Sequence, residues 1–283
     1  MKTILCYGDS NTYGYNPVTG GRWPEDIRWT GRLQQLLGNE YKVIEEGCNG
    51  RTTIYKAPGE GWKSGLEYLK PCLNSHKPVD AVVMMIGTND LKMDFGLCTE
   101  EIAAGAERLV QEICDFAAEK QKFCPKIILM SPPEIGENIS KLTFGDHFDD
   151  SAITRSKEFP ACYKAVADRN GCIFLNAAQA AKPSEEDALH LMPEEHGEEQ
   201  TGGPDGRTDL ESIDCFGAAD HGNVLFKYIL QHYGHGVDWN AWFTCSGRCR
   251  CGRYVRVAVA GIVCSGENGR TGECSPDAGT WKA

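Results

Sequence analysis

Read only for hydrophobic and polar positions, the chain carries two patterns that alternate. Short apolar runs rich in β-formers occupy 3–7, 42–46, 81–86, 126–130 and 172–176. Two of them, AVVMMIG and KIILMSP, are almost continuously apolar, as strands are when both faces of a parallel sheet are covered. Between the runs lie segments of helical period. In EEIAAGAERLVQEICDFAAEK, residues Ile102, Ala106, Leu109, Ile113 and Phe116 fall on one face. Thr99, followed by Glu100 and Glu101, suits its N-terminal end. DIRWTGRLQQLLG predicts a second helix closed by Gly38. SAITRSKEFPACYKAVADRNG predicts a third, with Pro160 as a kink or a first-turn residue. GEGWKSG, at 59–65, matches neither a dinucleotide nor a phosphate loop and reads as a loop feeding a further helix. The alternation predicts an α/β domain built on a parallel sheet with right-handed crossovers.

The pattern changes after residue 197. Segment 198–221 has no helical apolar spacing, and VLFKYILQHY, at 224–233, suits one short helix or strand. From Gly234 onward the chain is rich in Gly, Arg and Cys and nearly free of Lys. Two regions are therefore expected: a domain over 1–197 and an irregular C-terminal extension over 198–283. So abrupt a change is what a frameshifted or spliced gene end would produce, in which case the first domain would lack a packing helix.

Composition narrows the classes. Apolar and charged residues make up 41% and 24% of 283 residues, ordinary for a globular protein. A formal charge of −11 argues against nucleic acid and against anchoring on an acidic membrane surface. No run approaches the roughly 18–20 apolar residues of a membrane span, and no signal peptide is evident. A cytoplasmic location is expected, with the 14 cysteines mostly reduced. The nine from Cys6 to Cys215 stand singly among apolar residues and read as small buried hydrophobes. Cys245, Cys249, Cys251, Cys264 and Cys274 make a zinc site conceivable, but no pair of C-x2-C units appears. His190, Glu194, Glu195 and His196 lack the H-E-x-x-H pattern, so no metal is expected there.

Candidate chemistry gathers at the strand ends. YGDSN follows the first run, GCNGRTT the second and IGTND the third, and DALH, at 187–190, follows the fifth. Alone, each is also a good turn: Ser10 suits a helix cap, CNGRTT a turn, and Asp187 with His190 a helix start. In an open parallel sheet, however, ligands bind beyond the carboxyl ends of the strands, where these segments meet.

In their order and placement these four blocks resemble the SGNH hydrolases, the GDSL esterase and lipase superfamily, most of all its small-acyl arylesterases. IRWTGRLQQLLG, VIEEGCNGRTT and MMIGTNDLK read like the stretches around those blocks. The resemblance covers roughly residues 1 to 197. It implies a flavodoxin-like three-layer α/β/α sandwich on a five-stranded parallel sheet, without a cofactor. It further implies Ser10 as nucleophile, His190 as general base and Asp187 as the residue orienting the imidazole. An oxyanion hole would come from the backbone N–H groups of Ser10 and Gly50 and the Asn89 side chain.

These residue types suit that chemistry. A serine hydroxyl needs a base to take its proton during attack, and histidine titrates where it can accept and return one. Gly50 lets its N–H approach an oxyanion closely, and Asn89 carries a neutral donor on a short stem. Tyr13, Tyr15, Trp23 and Trp29, and more weakly Asp9, are candidates to line a substrate pocket, with plain core or a subunit contact as the alternative for the aromatics. Asp9 and Asp90 read chiefly as loop holders. The expected activity is hydrolysis of a short-chain small-molecule ester, an aryl acetate or an acetylated sugar, in a possible homo-oligomer. An acyltransferase using the same site and a non-catalytic α/β binding module are the alternatives. The lack of a G-x-S-x-G elbow disfavours the other large esterase architecture.

Overall fold

The computed structural model describes residues 1–196 and four two-residue strand segments beyond them. Five strands, β1 (Lys2–Gly8), β2 (Tyr41–Gly47), β3 (Ala81–Met85), β4 (Lys126–Ser131) and β5 (Ile173–Asn176), form one sheet in the order β2-β1-β3-β4-β5. Every pairing is parallel. This is the flavodoxin-like strand order, in which the direction of winding reverses beside β1 and β3. The helices are α1 (Ser10–Tyr13), α2 (Trp29–Leu37), α3 (Gly65–His76), α4 (Thr99–Lys120) and α5 (Ser151–Asn170).

The near-continuous apolar runs have their expected cause, since alternate residues of the central strands are buried on opposite faces. Leu5, Tyr7, Val82, Met84, Ile127 and Leu129 join one core with α3, α4 and α5. Ile4, Cys6, Val83, Met85, Ile128 and Met130 are buried on the other face. Leu33 and Leu37 of α2 are buried outside that first core, and α2 packs on β2. Each Leu-sized side chain so buried contributes roughly 1.5–3 kcal/mol before entropic costs.

α4 starts at Thr99, as expected, with Cys98 as its N-cap: Glu101 reaches back to accept the Cys98 N–H at 2.9 Å and closes a capping box. The first-turn alternative for Pro160 needs correction. Pro160 lies inside an unbroken α5. Its neighbours hold the helix down: Phe159 and Tyr163 are fully buried with rings 5.3 Å apart, and the Tyr163 hydroxyl donates to the Ile86 carbonyl at 2.6 Å.

The cysteine expectation is also revised. Cys6 and Cys72 are buried, whereas Cys98 and Cys124 are exposed and Cys48, Cys114, Cys162 and Cys172 are half-buried. A second unit, Gly236–Ala283, separates from Met1–His235. In it, Val257–Ala258 pairs with Gly261–Ile262, and Cys264–Ser265 with Thr271–Gly272, both antiparallel. The expected boundary at 197/198, the element at 224–233, Cys215 and the side chains of the five C-terminal cysteines lie outside the described residues. Among the described residues no helix is long and apolar enough to cross a membrane.

Candidate active site

The segments leaving β1, β2 and β3 meet at the reversal of the sheet, where a ligand crevice belongs. β1 ends at Gly8, and a Cβ there would stand 2.1 Å from Thr12 Oγ1 and 2.4 Å from the Met85 carbonyl oxygen. Only glycine lets the strand end tuck beneath α1. Asp9 caps that four-residue helix by accepting the Asn11 N–H at 3.0 Å, and Gly14 closes it in the left-handed region at φ 79°. Ser10 is thus held at the first helical position, where its backbone N–H has no intrahelical acceptor.

The Ser10 hydroxyl meets His190 Nε2 at 2.8 Å, and His190 Nδ1 meets Asp187 Oδ2 at 2.6 Å. All three residues are buried, at 6%, 3% and 2% exposure. The second Asp187 oxygen accepts three further hydrogen bonds, from the N–H groups of Leu189 and His190 and from the Ser184 hydroxyl, at 2.9–3.0 Å. Burial alone would raise the Asp187 carboxyl, but the His190 hydrogen bond and charge, joined by those N–H groups, hold it below the usual carboxylate range. Ala188 between them takes a left-handed φ of 57°, which turns the chain so that one carboxylate serves both backbone and imidazole. The loop is braced from outside: Gly136 N–H donates to the Ala188 carbonyl at 2.8 Å, and Ser184 N–H to the His190 carbonyl at 2.7 Å.

The other two blocks close the far side. Gly50 sits at φ +79°, a conformation that side chains rarely adopt. Asn89 is 5% exposed, and its side-chain amide donates to the Arg51 carbonyl at 3.1 Å, leaving its second amide hydrogen. Arg51 donates through Nη1 to the carbonyls of Gly8 (2.9 Å) and Glu46, so one guanidinium ties the ends of β1 and β2. Its charge lies over the Tyr7 ring, 4.4 Å from the centroid.

Asp90 accepts from Thr53 N–H at 3.0 Å and from its hydroxyl at 2.5 Å, joining GTND to NGRTT. Burial pushes this carboxyl up to about 7, with Thr53 opposing and Asp9 adding to the rise. Burial likewise brings Asp9 up to about 6 against the Asn11 hydrogen bond. These geometries agree with the loop-holding reading of both residues.

The pocket candidates separate. Trp29 is 3% exposed and donates its indole N–H to the Asn11 carbonyl at 3.2 Å, and Asp9 is 1% exposed. Both support α1: the indole N–H and one Asp9 carboxylate oxygen bond to the Asn11 backbone. Trp23 is half-buried and donates to the Leu191 carbonyl at 3.1 Å, bracing the chain just after His190. Tyr13 is half-buried with the Arg22 guanidinium over its ring. Two rings flank His190 directly, Tyr15 at 4.2 Å between centroids and Phe144 at 5.4 Å. Phe144, Ser184 and the double bond of Arg51 were not foreseen. Phe144 lies in a segment without period, Arg51 reaches the Gly8 carbonyl on another strand, and Ser184 acts on the side chain of Asp187 close by.

Comparison with known proteins accords with this arrangement. The model of the GDSL-like lipase/acylhydrolase family matches residues 6–196. No curated protein matches the chain. Among solved structures, a carbohydrate acetylesterase from Sinorhizobium meliloti is 33% identical, with a TM-score of 0.65 over 69% of this chain and 93% of its own. An aryl esterase from M. smegmatis is 33% identical, with a TM-score of 0.64 over the same shares. With the family model spanning more than half of the sequence, this chain belongs to the GDSL-like lipase/acylhydrolase family and is a carboxylic ester hydrolase.

Proposed function

We propose that the chain hydrolyses short-chain esters, aryl acetates or acetylated sugars, through an acyl-enzyme on Ser10. The observation that carries this reading is the buried hydrogen-bonded series Ser10–His190–Asp187. As Ser10 Oγ attacks the acyl carbon, its proton passes to His190 Nε2, and Asp187 stabilises the imidazolium. The new oxyanion lies toward the N–H groups of Ser10 and Gly50 and the free amide hydrogen of Asn89. Collapse expels the alcohol, which takes the proton from His190. A water then gives a proton to His190 and attacks the acyl carbon, and the Ser10 oxygen leaves with that proton as the acid departs.

Likeness to an aryl esterase and a carbohydrate acetylesterase supports the substrate class, as do the Tyr15 and Phe144 rings beside His190. The test is p-nitrophenyl acetate hydrolysis by the intact chain and by Ser10→Ala. A fall of roughly 10⁴-fold or more in kcat is expected. Equal activity in both would remove Ser10 from the mechanism. Ligand binding with no turnover in either protein would favour a non-catalytic module.

One observation also favours acyl transfer. With all three residues under 7% exposed and two rings beside the imidazole, water is partly excluded. Added alcohol should then divert the acyl group to a new ester, seen by product analysis; acid as the sole product would limit the site to hydrolysis.

A further inference from the structure

Away from Ser10, a second group of chemically active side chains sits between the edge strand and α3. Cys72 and His76 are one helical turn apart and so share a face, and Glu46 near the end of β2 lies opposite them. One donor atom from each, thiol, imidazole and carboxylate, lies within 4.8 Å of the other two. His76 Nε2 and Glu46 Oε1 are 2.7 Å apart. Cys72 is 1% exposed, while the side chains of His76 and Glu46 are 27% and 18% exposed. The group is therefore closed toward the core and reachable from solvent.

We propose that Glu46, Cys72 and His76 form a binding site for a thiophilic divalent cation, with zinc the best match. Tetrahedral zinc takes these three ligand types at about 2.0–2.3 Å, which sets donors roughly 3.3–3.8 Å apart. The site reaches that geometry with small movements: His76 and Glu46 part slightly and the thiol closes in. Water fills the fourth position. The mixed donor set selects against calcium and magnesium, which take oxygen ligands.

Binding replaces the Cys72 thiol proton, released to solvent, with the metal. Burial and the charge of Glu46 push that thiol up to about 12 in the metal-free protein, so the cation must supply the driving force for ionisation. Arg51 is the neighbouring cation, over the Tyr68 ring at 5.2 Å, and the second negative charge created on Cys72 offsets it. Since Arg51 also holds the Glu46 and Gly8 carbonyls, a metal here fastens α3 to the edge strand directly before the segment carrying Gly50.

The test uses the full chain, stripped with a chelator and titrated with Zn²⁺ by calorimetry and with Co²⁺ by absorption. To remove interference from the C-terminal cysteines, the measurements are made in a C249S/C251S background. One equivalent of metal is expected, together with near-ultraviolet thiolate-to-cobalt charge transfer. Both Cys72→Ser and His76→Gln should bind that equivalent at least tenfold more weakly, and Cys72→Ser should lose the charge-transfer band. Metal-free circular dichroism melts check that each variant is folded. His76→Gln, altering a partly exposed side chain, decides the matter alone if Cys72→Ser does not fold. Unchanged stoichiometry, affinity and spectrum in the folded variants would overturn the site.

Discussion

Asn89 gives one amide hydrogen to the Arg51 carbonyl, and that bond fixes the direction of the other. A donor aimed at an oxyanion acts mainly once the charge has formed, so its loss should lower kcat far more than it changes KM. Asn89→Ala is expected to reduce kcat by about 10²–10³ at similar KM. Steady-state kinetics on a variant with unchanged circular dichroism would show this. A rise in KM at constant kcat would assign Asn89 to substrate binding instead. At this scale the sequence was legible where a residue sits inside a block: Ser10, Gly50, Asn89, Asp187 and His190 are all brought to one sheet edge. It was illegible where the contact spans the chain. Nothing near Phe144 announces a ring against His190, and nothing near Arg51 announces its bond to the Gly8 carbonyl. An aromatic such as Trp29 looks the same in sequence whether it lines a pocket or, through its indole N–H on the Asn11 carbonyl, supports α1.

Strand ends position the candidate nucleophile as much as side chains do. A Cβ at Gly47, the last residue of β2, would lie 2.0 Å from the Tyr13 backbone nitrogen and 2.4 Å from its Cα. Those are main-chain atoms of α1, so relief requires α1 to shift, and α1 carries Ser10. Gly47→Ala should cost about 1–3 kcal/mol of stability, the usual price of overpacking. It should also lower ester turnover under conditions where the variant remains fully folded. Denaturant unfolding and kinetics on one preparation separate the two effects, and full activity in a folded variant would show that α1 tolerates the shift. The five strands, α4 and α5 could be read from apolar period alone, since burial on one or both faces writes itself into the pattern. The four-residue α1 is too short to have a period. The start of α4 at Thr99 is legible, but its cap is not, because Cys98 is an unusual cap completed by Glu101.

Across the whole domain, Asp9 and Asp90 set two buried carboxyls beneath the meeting point of three loops, and this gives stability a pH dependence of definite sign. Their folded values, about 6 and about 7, stand above the ordinary 3.8 because burial disfavours the charge. Below the unfolded value both states are protonated, and these groups impose no penalty. As pH rises, the unfolded chain ionises first, so stability drains away until the folded carboxyls ionise as well, near pH 6 to 7. Asp187, held low by His190, contributes in the opposite sense, at more acidic pH. The effect of Asp90 is isolated by comparing the wild type with Asp90→Asn. The amide still accepts from Thr53, and any cost of its extra donor hydrogens is independent of pH. The stability of the variant relative to wild type should therefore improve between pH 5 and pH 8, by up to about 3 kcal/mol. Urea unfolding at the two pH values measures it. Parallel behaviour would mean that Asp90 is already charged at pH 5, with Thr53 outweighing burial.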